Sequence, residues 1–286
     1  MDKVNDLPVT VYTPESGFGK PVRLITGMFA DLWRGRELAW RLFLRDLSAQ
    51  YRQTYLGYFW AFFPPLVTSL TFIFLNSQGI TQIDSGSTPY AAFAMIGTLL
   101  WQVFVDALAS PSQSLQAAKP MLTKINFPRE AVLLGGLAMV VFNFCVRLVL
   151  LAGVMAWFRI PVGPEILLFP LAMAGLLLTG FALGLAITPL AALYGDVGRA
   201  IPIVGGFWML LTPVVYPAQT EGLAGWMATW NPVSPLIVTA RECLTGHALT
   251  VAGPALAVSL SAALLALLGL LAFRLAMPHL IARMGG

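Results

Sequence analysis

Residues 117–132 read AAKPMLTKINFPREAV and separate two of the longest apolar runs in the chain. The run before them, Tyr90–Ser110, and the run after, Glu130–Phe158, each reach the roughly 20 residues a helix needs to cross a hydrocarbon core of about 30 Å. Lys119, Lys124 and Arg129, punctuated by Pro120 and Pro128, therefore fall in a connector between membrane spans. The fold follows from which side that connector faces.

Four further stretches qualify as spans: Gly57–Asn76, Ile166–Leu193, Ala200–Tyr216 and Val251–Met277. The third of these is short and interrupted by Pro202 and Pro213. Composition agrees, with 58% hydrophobic and 10% charged residues and a mean hydropathy of +0.78, whereas about a quarter of a soluble domain is charged. The expected fold is an all-α integral membrane protein with six transmembrane helices.

Six spans place both termini on one side. Of the 17 Lys and Arg residues, 14 fall on that side; Arg159 and Arg241 lie opposite and Arg147 sits inside the third span. Basic loops are retained in the cytoplasm. Both termini and the 117–132 connector are thus expected to be cytoplasmic, and the net charge of +4 reads as a topology signal rather than as a nucleic-acid footprint.

Four regions follow: a polar cytoplasmic segment 1–30, an amphipathic helix 31–56, a membrane domain 57–277 and a tail 278–286. Asp2, Lys3, Asp6, Glu15 and Lys20 give the lead no cleavable-signal pattern, so the first span is expected to do the targeting. In 31–56, Trp33, Trp40, Phe43, Leu44 and Leu47 recur at helical spacing while Arg34, Arg41 and Arg45 take another face, as in a helix lying on the inner leaflet. The segment 217–248 is too apolar for a free loop and too broken by Gly and Pro for a simple span, which predicts short re-entrant or periplasmic helices.

Several chemistries find no support. The chain has no G-x-x-x-x-G-K-[ST] phosphate loop, and GFGKP at 17–21 lacks the spacing. Cys145 and Cys243 fall in an apolar run and in a later connector, without the paired spacing of a metal or disulfide framework, and His247 and His279 match no catalytic motif. A membrane-embedded transferase would need a cluster of acids or histidines, and a secondary carrier would show internal repeats and several intramembrane charges. Here the charges are scattered singles.

Six segments occur in a telling order: RDLSAQYRQTYLGYFWAFFPP (45–65), PYAAFAMIGTLLWQVFVDAL (89–108), KINFPREAV (124–132), LYGDVGR (193–199), LTPVVYP (211–217) and NPVSPL (231–236). Together they resemble the membrane subunit of type-2 ABC exporters for cell-surface polysaccharides, the O-antigen, capsule and teichoic-acid permeases. The resemblance implies a multi-pass permease of the bacterial cytoplasmic membrane, working as a homodimer with two separate ATPase subunits. ATP and Mg would be bound by that partner, with no cofactor in this chain, and the cargo would be a lipid-linked polysaccharide.

It also implies that the 117–132 connector holds a coupling helix seated on the ATPase. Lys119, Lys124, Asn126, Phe127, Arg129 and Glu130 become the contact candidates, and Asp196 and Arg199 a second contact. Positive-inside sorting accounts for the connector's charges equally well, and a tight turn accounts for YGDVGR. The connector reads as about twenty residues, with Pro111, Pro120 and Pro128 fixing its geometry.

For the substrate path, Tyr51, Tyr55, Tyr58 and Phe62 fall at i, i+4, i+7 and i+11, one helical stripe. Such a stripe serves either as stacking surface for sugar rings at a channel entry or as an ordinary aromatic belt. Arg147 costs about 2.5–3.5 kcal/mol at a helix centre and requires compensation. With Asp106 inward of the midplane of Tyr90–Ser110 and Arg147 slightly outward of the midplane of Glu130–Phe158, the axial gap is roughly 13 Å at 1.5 Å per residue. A hydrated cavity or backbone carbonyls are then the expected partners, in the role either of substrate contact or of polar clamp. Pro64 and Pro65 are expected to kink the first span, and the Gly180/Gly184 pair permits close helix contact.

Overall fold

The computed structural model describes residues 21–51, 59, 62–81, 83, 85–86, 88–122, 124, 127–218 and 221–284. They form ten α-helices and no strand: α1 Pro21–Arg34, α2 Arg36–Tyr51, α3 Phe63–Ser77, α4 Tyr90–Leu122, α5 Glu130–Trp157, α6 Phe169–Leu193, α7 Gly195–Leu211, α8 Gly222–Trp230, α9 Val233–Thr245 and α10 Ala252–Met284, with a 3-10 turn at Pro164–Leu168 before α6. Helices alone satisfy every backbone polar group within one segment, as lipid demands. Four are long and apolar enough to cross a membrane: Tyr90–Leu122, Glu130–Trp157, Pro164–Leu193 and Ala252–Met277. Helix α3 has 15 residues and α7 has 17.

Helix α4 is the centre of the molecule, buried along most of its length and flanked by α5 on one side and α6 on the other. Helix α10 packs along the far side of α6. Contact between α4 and α6 is backbone-close at Gly180 and Gly184. A Cβ on Gly180 would stand 2.7 Å from the Phe104 carbonyl oxygen, and one on Gly184 would collide with the carbonyl of Leu108. The small-residue pair therefore joins two helices of the same chain.

Two large apolar cores divide the bundle, beside a small cluster of Ala182, Ala262 and Ala266 between α6 and α10. One gathers Ile96, Leu100, Phe104, Met173, Leu176, Leu236 and Ile237 around the start of α4 and α9. The other gathers Leu42, Leu115, Leu122, Leu133, Leu185, Phe273 and Met277 around the end of α4 and the start of α5.

Two sequence expectations are corrected by the helix boundaries. Helix α4 does not stop at Ser110 but runs through Pro111 and Pro120 to Leu122, so the twenty-residue loop contracts to positions 123–129. Leu115, Ala118 and Leu122 are buried and recur at helical spacing, which carries the helix past a proline that neighbouring helices tolerate. Pro64 and Pro65 occupy the first turn of α3 and do not kink it, because a first-turn N–H has no helical partner to lose. At YGDVGR the turn is a single residue: Tyr194, extended at φ −122° and ψ 107°, separates α6 from α7.

Substituting Gly184→Ala should destabilise the detergent-solubilised protein by about 1–3 kcal/mol, since the new Cβ overpacks a backbone contact. Gly153→Ala meets nothing within 4 Å and should be neutral or slightly stabilising; thermal unfolding of the pair checks the contrast.

Candidate functional site

At the connector end, α1 and α2 form an almost continuous rod. The turn at Gly35 keeps the helical pattern, with Gly35 N–H donating to Asp31 O at 2.8 Å and Ala39 N–H to Gly35 O at 2.8 Å. The rod buries Met28, Asp31, Gly35, Ala39, Leu42 and Phe43, while Trp33, Trp40 and Leu44 stay exposed. Its α2 portion packs along α5, and Phe43 meets Phe142 with ring centroids 6.0 Å apart. The amphipathic pattern thus has two working faces, a small-residue seam against the protein and an aromatic face turned outward.

The connector is seated on this rod. A Cβ on Gly35 would lie 3.2 Å from Ala131 Cβ and 3.6 Å from Pro128 Cβ. Phe127 is half-buried in the second apolar core, and Arg45 reaches the last turns of α4 by donating from Nη1 to Met121 Sδ at 3.0 Å. Lys119 and Lys124 are exposed, Arg129 is half-buried and Glu130 is buried. The structure therefore splits the contact candidates: Lys119 and Lys124 face outward, whereas Phe127 and Glu130 face in. Asn126 lies outside the described residues.

Glu130 opens α5, where a carboxylate also complements the helix dipole. It accepts from Arg274 Nη1 at 3.4 Å, and Asp31 accepts from Arg274 Nη2 at 2.6 Å. All three side chains are less than a quarter exposed. Neither Asp31 nor Arg274 is marked by any spacing in the sequence; residues 31, 130 and 274 meet only through the fold.

Nearby, α6 turns into α7. Gln116 of α4 lies under Gly198, whose added Cβ would stand 2.7 Å from its Nε2. This puts the corner on the same end as the connector. Asp196 and Arg199 pair at 3.3 Å and are almost fully exposed.

The bundle centre holds the other charged feature, and here the expectation fails. Arg147 does not lie out of reach of Asp106: its Nη1 donates to Asp106 Oδ2 at 2.6 Å, and Gln102 Nε2 donates to Asp106 Oδ1 at 2.8 Å. The error lies in the register. Because α4 continues to Leu122, its Ser110 and Ser114 lie against Gly136 rather than against the start of α5. Helix α4 runs about twelve residues, or roughly 18 Å at 1.5 Å per residue, beyond the expected end of the span. Arg147 is buried, with its guanidinium turned onto α4.

At the opposite end, three of the quoted segments meet. Asn231 Nδ2 donates to Thr212 Oγ1 at 2.7 Å, while Asn231 Oδ1 accepts from Val233 N–H at 3.0 Å and Trp208 Nε1 at 3.2 Å. Arg241 donates to the carbonyls of Pro213, at 3.2 Å, and Val214, and its guanidinium lies over the Phe93 ring, 3.8 Å from the centroid. Those carbonyls follow the end of α7, where backbone acceptors lack helical partners.

Of the aromatic stripe, Tyr55 and Tyr58 lie outside the described residues, as does the Tyr51 side chain. Phe62 is half-buried just before α3, edge-on to Phe59 with centroids 6.4 Å apart.

Helices long and apolar enough to cross a membrane close around an internal ion pair, with a basic connector braced at one end, and the likeness to known proteins makes this bundle a transporter subunit rather than an enzyme. The chain belongs to the ABC-2 type transporter family, whose model matches residues 37–244. It is similar to the O-antigen export system permease protein RfbA of Myxococcus xanthus, with 26% identity over 237 residues, covering 80% of this chain and 88% of that protein.

Asp106→Ala should cost about 3–5 kcal/mol, because Arg147 keeps its buried charge and loses this carboxylate. The double variant Asp106→Leu with Arg147→Met should recover most of that loss. Thermal unfolding of the two purified proteins reads the difference.

Proposed function

We propose that this chain is the channel subunit of an ATP-driven exporter that moves a lipid-linked polysaccharide, of the O-antigen type, out across the bacterial cytoplasmic membrane. The observation that carries the reading is the end of α4 with the short connector after it: basic and exposed at Lys119 and Lys124, yet seated through Pro128 and Ala131 on Gly35 between α1 and α2. A loop that served only to place charge in the cytoplasm would need no such support. Family membership and the relative's role in O-antigen export supply the class of cargo.

Two copies of the chain, each with six spans and cytoplasmic termini, form the channel in this reading. Helices α3 and α7 supply the spans beyond the four long ones. They are about 22 and 25 Å long at 1.5 Å per residue, and both leave large apolar side chains exposed, among them Leu70, Phe74, Ile203 and Phe207. Two ATPase subunits bind ATP and Mg and engage the connector, with Asp196 and Arg199 as a second contact on the same end. Charge agrees with this orientation. Lys119, Lys124, Arg129, Arg199 and Arg274 gather at the connector end, opposite Arg159 and Arg241, as retention of basic segments in the cytoplasm requires.

Purifying the tagged chain from its own locus in mild detergent should recover a near-equimolar ATPase carrying a phosphate loop, together with a lipid-linked glycan, both identified by mass spectrometry. A small molecule or a capsular lipid in place of that glycan would redirect the cargo, and a lone homomer would end the reading. Lys119→Glu with Lys124→Glu should deplete the copurifying ATPase while leaving the thermal stability of the permease unchanged, since both side chains are exposed.

A further inference from the structure

We infer that Arg274 is a positioning residue, whose guanidinium joins the end of the connector, the amphipathic rod and the last span into one body. The inference rests on the proposed function.

Arg274 belongs to α10, which packs along α6, whereas Glu130 opens α5, which packs along α4 and α2. Asp31 belongs to α1. One planar fork therefore spans three helices, with Nη1 on Glu130 at 3.4 Å and Nη2 on Asp31 at 2.6 Å. The connector closes the circuit, because Pro128 and Ala131 rest on Gly35, one helical turn beyond Asp31. A push on the connector is thus delivered to the start of α5 and to the rod by packing, and from both to α10 through Arg274.

The chemistry of the cluster makes the arginine hard to replace. Two carboxylates share one cation. A lysine keeps the charge but presents a single point donor where two fixed directions are needed. A neutral residue leaves two buried carboxylates facing one another, so that α1 and α5 repel instead of being held.

The test uses the complete permease–ATPase complex in vesicles, with the lipid-linked glycan fraction isolated alongside the wild-type complex as probe, and reads ATP hydrolysed and glycan translocated in the same sample. A wild-type chain that assembles no ATPase or moves no glycan removes the functional reading before any variant is made. With wild type working, Arg274→Lys and Asp31→Asn should assemble and hydrolyse ATP, while glycan moved per ATP falls about tenfold, within the usual range of a coupling between sites. The charge-exchanged pair Asp31→Arg with Arg274→Asp should regain a substantial part of the ratio. Yield, hydrolysis and transport falling together with an unchanged ratio would reduce Arg274 to a brace and overturn the inference.

Should the charge variants fail to accumulate, Asp31→Cys with Arg274→Cys, in a Cys145→Ser background, gives an independent answer. A short bifunctional thiol reagent joining the two positions should restore the ratio if these helices travel as one. A reagent that instead blocks transport would show that the contact has to open, and would equally overturn the inference.

Discussion

The close approach of α4 and α6 at Gly180 and Gly184 is the constraint on which the rest of the architecture depends. Lipid offers no hydrophobic incentive for apolar helices to associate, so contact must come from packing and from the few polar groups that find partners. With no Cβ at these two positions, the backbone of α6 settles on the carbonyls of Phe104 and Leu108. That contact fixes the depth of α4, and the depth of α4 sets the level of everything hung upon it: Asp106 opposite Arg147, Ser110 and Ser114 against Gly136, and the last turns of α4 beside the amphipathic rod.

Two kinds of charge serve two purposes in this molecule. The Asp106–Arg147 pair lies inside the bundle, joined by Gln102, and locks neighbouring spans in register. Such pairs resist removal of one member far more than exchange for a well-packed apolar pair, which fits a role in specifying how α4 and α5 align. The Asp31–Arg274–Glu130 cluster lies at the connector end and joins elements distant in sequence. Exposed pairs such as Arg41–Glu37 and Arg199–Asp196 contribute little by comparison, being solvated on both sides.

The helical class and the four long spans were legible in the sequence because apolar length is a direct physical requirement of the bilayer. Glu130–Phe158 was expected and Glu130–Trp157 is found; Ile166–Leu193 was expected and the helical stretch begins at Pro164. The extension of α4 was hidden by Pro111 and by the polar Ser, Gln and Lys residues beyond it, although Leu115, Ala118 and Leu122 spelled out a buried helical face. That single misreading displaced Asp106 from Arg147 and lengthened the connector. The outward placement of Lys119 and Lys124 was readable from charge. The inward placement of Glu130 was not, because it depends on an arginine 144 residues away, and no local pattern encodes a partner at that distance. Of the residues that periodicity placed on the leaflet face of the rod, Trp33, Trp40 and Leu44 are exposed, whereas Phe43 joins Gly35, Ala39 and Leu42 in the seam against α5.

The central claim, that the connector is the surface on which an ATPase works, is tested most directly by placing a photo-reactive amino acid at Lys124 and, in a second strain, at Arg159 of the opposite end. Illumination of intact cells should link position 124 to a protein carrying a nucleotide-binding phosphate loop and leave position 159 without that product. The same ATPase captured from position 159, or its absence from position 124 in cells that export the glycan, would contradict the account.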